Sequence, residues 1–216
     1  MDDQARLLVI DTATEALSVA LFQHGVLIGH FHEIAGRGHA EKLIPIIAAL
    51  PDGGKASEIW VDSGPGSFTG IRVGLAAARA LSYAWGARLR TYSSLALLAA
   101  MARQEQRVSA TISIALTGGH GELFWQEFDP ATLAPLAAPA SVPIAELAHS
   151  TAAPVIHGTG AGALVAARGH GEARLLHPRA DAATLMPIER IGEETTPLYG
   201  RGADALPLAS AQKHLA

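Results

Sequence analysis

The sequence contains no cysteine, and this absence excludes disulfide bonds, thiol catalysis and thiolate metal sites. Charged residues make up only 17% of the 216 positions, and the formal net charge is −4. A protein that binds nucleic acid by itself needs a basic face to neutralise the phosphates. The arginines here are scattered among apolar residues, so we expect any link to RNA to run through a partner protein.

Long apolar runs are also missing, since no stretch of about 18 apolar residues is available to span a bilayer. The first four residues, Met1-Asp2-Asp3-Gln4, are acidic where a secretory signal needs a basic region. We therefore expect a cytoplasmic protein that makes no contact with a membrane.

Apolar residues nevertheless reach 49% of the chain, enough for a sizeable core. Apolar runs and turn residues alternate in the first half in the order β-β-β-α-β-α-β-α, which is the order of a ribonuclease-H-like lobe. The strands are predicted at 6–11, 17–22, 26–33, 59–62 and 88–92, and the helices at 38–50, 71–85 and from 93 or 94 to about 101. Pro45 predicts a kink in the first helix, or a start close to that residue.

A charged stretch at 103–107 predicts two domains, a first lobe at 1–102 and a smaller, divergent lobe at 103–216. The second lobe is predicted to contain strands at 110–116, 122–128 and 155–156. A short helix is expected after Pro143, and another is expected to begin within 163–167. The tail at 197–216 has little periodicity and is expected to fray.

The segment Gly64–Gly70 is the most distinctive one in the chain. Its three glycines allow sharp turns, and Ser67 or Thr69 could cap the helix that follows. The exposed backbone N–H groups could also hold an anion at the helix N-terminus. The segment lacks the lysine of a phosphate-binding P-loop, so a simple strand-to-helix turn is the competing interpretation.

Four segments together resemble the TsaB (YeaZ) family. They are 10–14 (IDTAT), 36–45 (GRGHAEKLIP), 64–74 (GPGSFTGIRVG) and 197–201 (PLYGR). The similarity is dense over residues 7–100 and thin afterwards. It implies a two-lobed α/β fold of the ribonuclease-H-like, actin/Hsp70-like ATPase (ASKHA) type. It also implies a non-catalytic subunit of the bacterial machinery that makes threonylcarbamoyladenosine (t6A) in tRNA.

The catalytic paralogue in that machinery, TsaD, binds a metal through two histidines four residues apart. None of the 10 histidines here lies four positions from another. We therefore predict no catalytic residue, no metal site and no cofactor for the chain on its own. His30 and His32 share one face of a strand, but a solvated face is the preferred interpretation because no third ligand is evident.

Proteins of the wider superfamily place a phosphate- or metal-facing carboxylate at the end of the first strand, where Asp11 stands. The resemblance thus implies candidate anion- or nucleotide-facing residues, with local capping by Asp11 or Thr12 as the preferred alternative. The candidate residues are Asp11, Thr12, Gly66, Ser67 and Thr69.

Gly70, Gly74 and Ala78 lie four apart and form a smooth strip on the second predicted helix. Such a strip could pack against the chain's own sheet. However, the helix is small or apolar nearly all round, and in the family the two helices pair with TsaD or with a second copy. The predicted interface comprises Leu43, Ile46, Ile47, Leu50, Gly70, Gly74, Ala77, Ala78 and Leu81.

The resemblance implies that the chain pairs with and activates a TsaD-like subunit, which modifies adenosine 37 in tRNAs that read ANN codons. A TsaE-like ATPase would complete the assembly, tRNA would be reached only through the complex, and the isolated chain is expected to form a homodimer. The alternative is an enzyme in its own right, either a stand-alone ATPase or a glycoprotease-like peptidase.

Overall fold

The computed structural model describes residues 5–105 and 111–198. They form two five-stranded mixed sheets, each with helices beside it. No helix in these two ranges is long and apolar enough to cross a membrane.

The first sheet has the strand order β3-β2-β1-β4-β5. Its first three strands are antiparallel neighbours, and β1, β4 and β5 run parallel to one another. The bounds are β1 Arg6–Asp11, β2 Ala16–Gln23, β3 Val26–Ile34, β4 Glu58–Asp62 and β5 Arg88–Tyr92. This arrangement confirms the ribonuclease-H-like lobe expected from the sequence.

Each face of this sheet packs against different helices because successive side chains of a strand point to opposite faces. Leu8, Ile10 and Val61 pack with α1 (His39–Ala49) and α2 (Phe68–Trp85). Val9 and Trp60 point the other way and pack with α3 (Ser94–Glu105).

The second sheet has the order β10-β9-β6-β7-β8. Read in the reverse direction, this order repeats that of the first sheet, with β6 in the place of β1 and with β7 and β9 in the places of β2 and β4. Its strands are β6 Ile112–Thr117, β7 Glu122–Phe128, β8 Ala140–Pro143, β9 Val155–His157 and β10 Glu172–Arg174. Helices α4 (Ile144–Ser150) and α5 (Ala161–Arg168) cover one face. The other face packs with α3, whose buried side chains therefore belong to a core shared by both sheets.

The last described segment returns to the first lobe through two short 3-10 helices, Ala180–Leu185 and Ile188–Arg190. The Ala180 N–H donates to Ser18 Oγ at 2.9 Å, and Gly192 forms a bridge with Thr91 beside β5. Because of these contacts, the described part of residues 103–216 packs on both sheets. The domain limits 1–102 and 103–216 stay a prediction.

Most elements of the first lobe match the sequence-based prediction to within three residues. The helix α1 is continuous from His39 to Ala49 with Pro45 inside it, so the expected late start was wrong. Pro45 lacks an N–H but lies on the exposed side, where the free carbonyl of the preceding turn can face water. The short strands β8 and β10 were not predicted. Residues 199–216, and with them most of the predicted fraying tail and of the PLYGR segment, lie outside the described residues.

Candidate functional site

The loop between β4 and α2 is held by its own side chains and by very close backbone contacts. Ser67 is the N-cap of α2, and its hydroxyl accepts a hydrogen bond from the Gly70 N–H at 3.2 Å. A Cβ atom added at Gly66 would lie 2.0 Å from the carbonyl oxygen of Ala13. One added at Gly70 would lie 2.1 Å from the carbonyl oxygen of Thr12. Glycine is needed here because the loop packs directly on the turn after β1.

The predicted capping role of Ser67 is confirmed, and it can be tested against Thr69 two residues further on. Replacing Ser67 with alanine removes an acceptor for an N–H of the first turn, which typically lowers the free energy of unfolding by about 0.5–2 kcal/mol. The matched change Thr69→Ala alters an exposed side chain that is not the cap, and should stay within about 0.5 kcal/mol. Urea unfolding of both variants measures the difference, and equal effects would contradict this capping assignment.

Behind the loop lies a fully buried pair of carboxyl groups, Asp11 at the end of β1 and Asp62 at the end of β4. Asp62 accepts from the Gly64 N–H at 2.7 Å and from the Ser94 hydroxyl at 2.5 Å. Asp11 accepts from the Tyr92 hydroxyl at 3.1 Å. The two carboxyl groups are neighbours at the ends of the paired parallel strands β1 and β4.

The two buried carboxyl groups have shifted pKa values. Burial, the nearby Asp62 charge and the hydrogen bond to Asp62 raise the pKa of Asp11 well above its usual range. Burial raises the pKa of Asp62 to about 6, although hydrogen bonds from Ser94 and Gly64 act in the opposite direction. Burial also raises the pKa of Tyr92, so its hydroxyl keeps the proton that it donates to Asp11.

The position of this pair corrects the prediction that Asp11 and Thr12 face an anion. Both side chains are fully buried beneath the N-terminus of α2. Thr12 donates its hydroxyl hydrogen to the carbonyl oxygen of Gly70 at 2.7 Å, and Asp11 accepts from the Ala13 N–H at 3.4 Å. Asp11 therefore has the local capping role that the sequence already favoured.

The other three candidate anion-facing residues, Gly66, Ser67 and Thr69, line a cleft between the two lobes with a volume of about 1300 Å³. The first lobe also contributes cationic side chains to it, Arg37 and Arg72. The second lobe contributes its own β-turn and loop, including Thr117, Gly118, His120 and Thr159. Arg72 stacks on the ring of Phe68 at the edge of this cleft.

The two histidines of β3 do not belong to a cluster of ligands. His30 is exposed and His32 is half-buried, and burial together with the charge of Arg179 lowers the pKa of His32. Within residues 5–105 and 111–198, no group of three histidine, aspartate or glutamate side chains is arranged to hold a metal ion.

Most of the predicted interface residues face the interior of the chain, which corrects that prediction. Gly74 is buried against Thr12 and Val61 of the first sheet. Gly70, Ala78, Leu43, Ile47 and Leu50 are also buried, whereas Ile46, Ala77 and Leu81 are half-buried at the border between α1 and α2. The small residues allow α2 to approach its own sheet closely, and this was the competing interpretation of the strip.

The opposite faces of the same two helices are exposed and largely apolar. Tyr83 is 93% exposed, Phe68 57% and Ile44 49%. Small exposed residues continue this surface, which we call the outer face of α1 and α2: Ala48, Ala49, Ala76, Ala80 and Ala84. Sequence reasoning missed this face because alanine occurs on both sides of α2.

Two lobes with the same strand order, a shared helix and a cleft between them define a two-lobed α/β protein of the actin-like ATPase (ASKHA) class. The sequence of residues 24–195 matches the model of a family described as TsaD, tRNA N6-adenosine threonylcarbamoyltransferase. The chain belongs to this family.

Several relatives in the family are TsaB proteins. The chain is 32% identical over 128 residues to the TsaB protein of Escherichia coli K12, covering 57% of the chain and 54% of that relative. It is 36% identical over 114 residues to the TsaB protein of Haemophilus influenzae, covering 49% and 48%. The matches thus span about half the length of these curated relatives.

A solved structure described as YeaZ from Pseudomonas aeruginosa matches 91% of this chain and 100% of that one, with a TM-score of 0.75 and 26% identity. A second structure from that organism, described as similar to the peptidase YeaZ, gives a TM-score of 0.77 and 28% identity over 92% of this chain. Among its relatives, the chain is thus similar to proteins named TsaB or YeaZ.

Proposed function

We propose that the chain is a non-catalytic subunit in t6A biosynthesis that pairs with a TsaD-like subunit and activates it. The partner would transfer threonylcarbamoyl to adenosine 37 of ANN-decoding tRNAs, with a TsaE-like ATPase completing the assembly. Membership of the TsaD family and the names of the TsaB relatives support the pathway.

The observation that carries the pairing is the outer face of α1 and α2. A tyrosine that is 93% exposed lies beside a row of exposed alanines. Apolar side chains grouped on one exposed surface are typical of a site that binds another protein. Tyrosine is enriched among residues that dominate binding energy, and alanines allow a second helix to come close. A helical partner surface fits this face better than a bulky or strongly charged one.

The same face supports self-association when the partner is missing. Around a two-fold axis, the same exposed apolar surface of two copies can cover each other, and symmetric dimers are the commonest homo-oligomers. We therefore propose that the isolated chain forms a homodimer through the outer face, in competition with the TsaD-like subunit.

The tRNA would contact the complex mainly through the partner. The net charge of −4 gives the chain no general attraction for phosphates. The proposal also keeps the expectation that the chain needs no metal or cofactor of its own. Metal analysis of untagged protein tests this part, and stoichiometric zinc or iron would contradict it.

A stand-alone ATPase is the second candidate, because the cleft brings the N-terminus of α2 near Arg37 and Arg72. In that case Gly66, Ser67 and Thr69 would face the phosphates. The buried position of Asp11 weighs against this function, since a metal-bound phosphate could not reach that carboxylate. A glycoprotease-like peptidase is supported only by the description of one similar structure as related to the peptidase YeaZ. Turnover of ATP by the purified chain alone would support the ATPase.

Co-purification with the TsaD homologue of the same organism tests the proposed function. The two chains should elute together from size-exclusion chromatography in equal amounts. The dimer of the isolated chain should disappear as the partner is added. Separate elution of both chains at micromolar concentrations would contradict the proposal.

A further inference from the structure

The buried carboxyl pair has a geometry that the proposed function does not use. Strands β1 and β4 are parallel neighbours, and Ile10 is paired with Val61 in their register. Asp11 and Asp62 follow directly, so their side chains lie next to each other at the carboxyl ends of both strands. Neither side chain has any solvent exposure.

The hydrogen bonds around the pair leave one position, between the two carboxyl groups, that only a proton can fill. The Gly64 N–H and the Ser94 hydroxyl donate to Asp62, and the Tyr92 hydroxyl and the Ala13 N–H donate to Asp11. The remaining neighbour of each carboxyl group is the other one, because both residues directly follow a paired position in the strand register. Two carboxylate oxygens carry no hydrogen to share, and two buried negative charges at this separation repel strongly.

The groups that face the pair supply no compensating positive charge. Tyr92 on β5 is the titratable neighbour, and it stays neutral because burial raises its pKa. The donors on α3 and on the loop before α2, Ser94 and Gly64, are uncharged. No salt bridge to Asp11 or Asp62 exists within the described parts of the chain.

We propose that Asp11 and Asp62 hold one proton between them, and that this shared proton ties the ends of β1 and β4 to α3 and to the loop before α2. Asp11 carries the proton and donates it, while Asp62 carries the negative charge. Asp62 is the better site for the charge because the hydrogen bonds that it accepts are shorter than those of Asp11 and because it faces the N-terminus of α3.

The shared proton links the stability of this junction to pH. Both pKa values are raised in the folded chain, so the folded state binds protons that the unfolded state has released. Stability from this pair is therefore complete below about pH 4, the ordinary aspartate range, and falls as the pH rises. For Asp62 the loss ends near its folded pKa of about 6, and for Asp11 it continues further.

The variant Asp11→Asn tests the proposal because an amide has nearly the same shape and donates an N–H where the shared proton lies. The ratio of the wild type's unfolding constant to that of the variant should rise with pH above the ordinary aspartate range of about pH 4, by up to about tenfold per pH unit. Urea unfolding at several pH values measures this ratio. A ratio that stays flat across this range would overturn the proposal.

Infrared spectroscopy of the wild type provides a second test that does not depend on the folding of a variant. A protonated carboxyl group should give its carbonyl band at neutral pH, where exposed aspartates are ionised. The exposed residue Asp52 provides the matched control, since Asp52→Asn should leave this band unchanged. Absence of the band from the wild type at neutral pH would overturn the proposal as well.

Discussion

Replacing Gly74 with leucine is expected to destabilise the fold by at least about 3 kcal/mol, the upper part of the range for overpacking a core. A Cβ atom at this position would lie 2.5 Å from Thr12 Oγ1 and 3.3 Å from Val61 Cγ2. The Thr12 hydroxyl cannot move aside freely because it is buried and donates to the Gly70 carbonyl. The larger leucine would therefore push α2 away from the sheet.

The matched control is Ala166→Leu, on the exposed side of α5 in the second lobe and away from the outer face of α1 and α2. Leucine and alanine both favour helices, so the control should change the free energy of unfolding by less than about 0.5 kcal/mol. Urea unfolding compares the two. A Gly74→Leu variant with wild-type stability would mean that α2 does not pack on the sheet through its small residues.

The second large effect is expected at Ala80, in the middle of the outer face of α1 and α2. A glutamate there would become a buried, unpaired charge once a partner helix covers it. We expect Ala80→Glu to weaken binding of the TsaD homologue roughly hundredfold, which corresponds to about 2.7 kcal/mol. Residue 80 is exposed in the single chain, so the variant should keep its fold, but the homodimer proposed for the isolated chain should be lost with it.

The control for this change is Ala166→Glu, on the exposed side of α5 in the second lobe. It introduces the same side chain on a helix of the same chain, far in sequence from the proposed interface, and should bind the partner normally. Titration calorimetry with both variants measures the contrast. Equal affinities would remove the outer face from the interface.

Much of the fold follows from local patterns in the sequence. The turn before Val26, the glycines around Ser67 and the short apolar runs predict the order of elements in the first lobe, and the structure confirms it. The strands β8 and β10 escaped prediction because they are only four and three residues long and contain proline or charged residues. They are strands because neighbouring strands pair with them, which a local pattern does not reveal.

The sites were harder to predict than the fold because burial depends on which side of a helix meets the sheet. Small residues lie on both sides of α2, and only the close approach of Gly74 to Thr12 shows which side packs against the sheet. Asp62 was treated as the end of a strand and not singled out. The available signal was an acidic residue at the end of a buried strand, parallel to a strand that also ends in aspartate.

The most direct test of the proposed role is formation of t6A by the purified TsaD homologue in the presence of tRNA, a threonylcarbamoyl donor and the TsaE-like ATPase. The amount formed should depend on this chain, be restored by Ala166→Glu, and remain at background with Ala80→Glu. Full activity without the chain, or with Ala80→Glu at wild-type strength, would contradict the role of a subunit that acts through the outer face of α1 and α2.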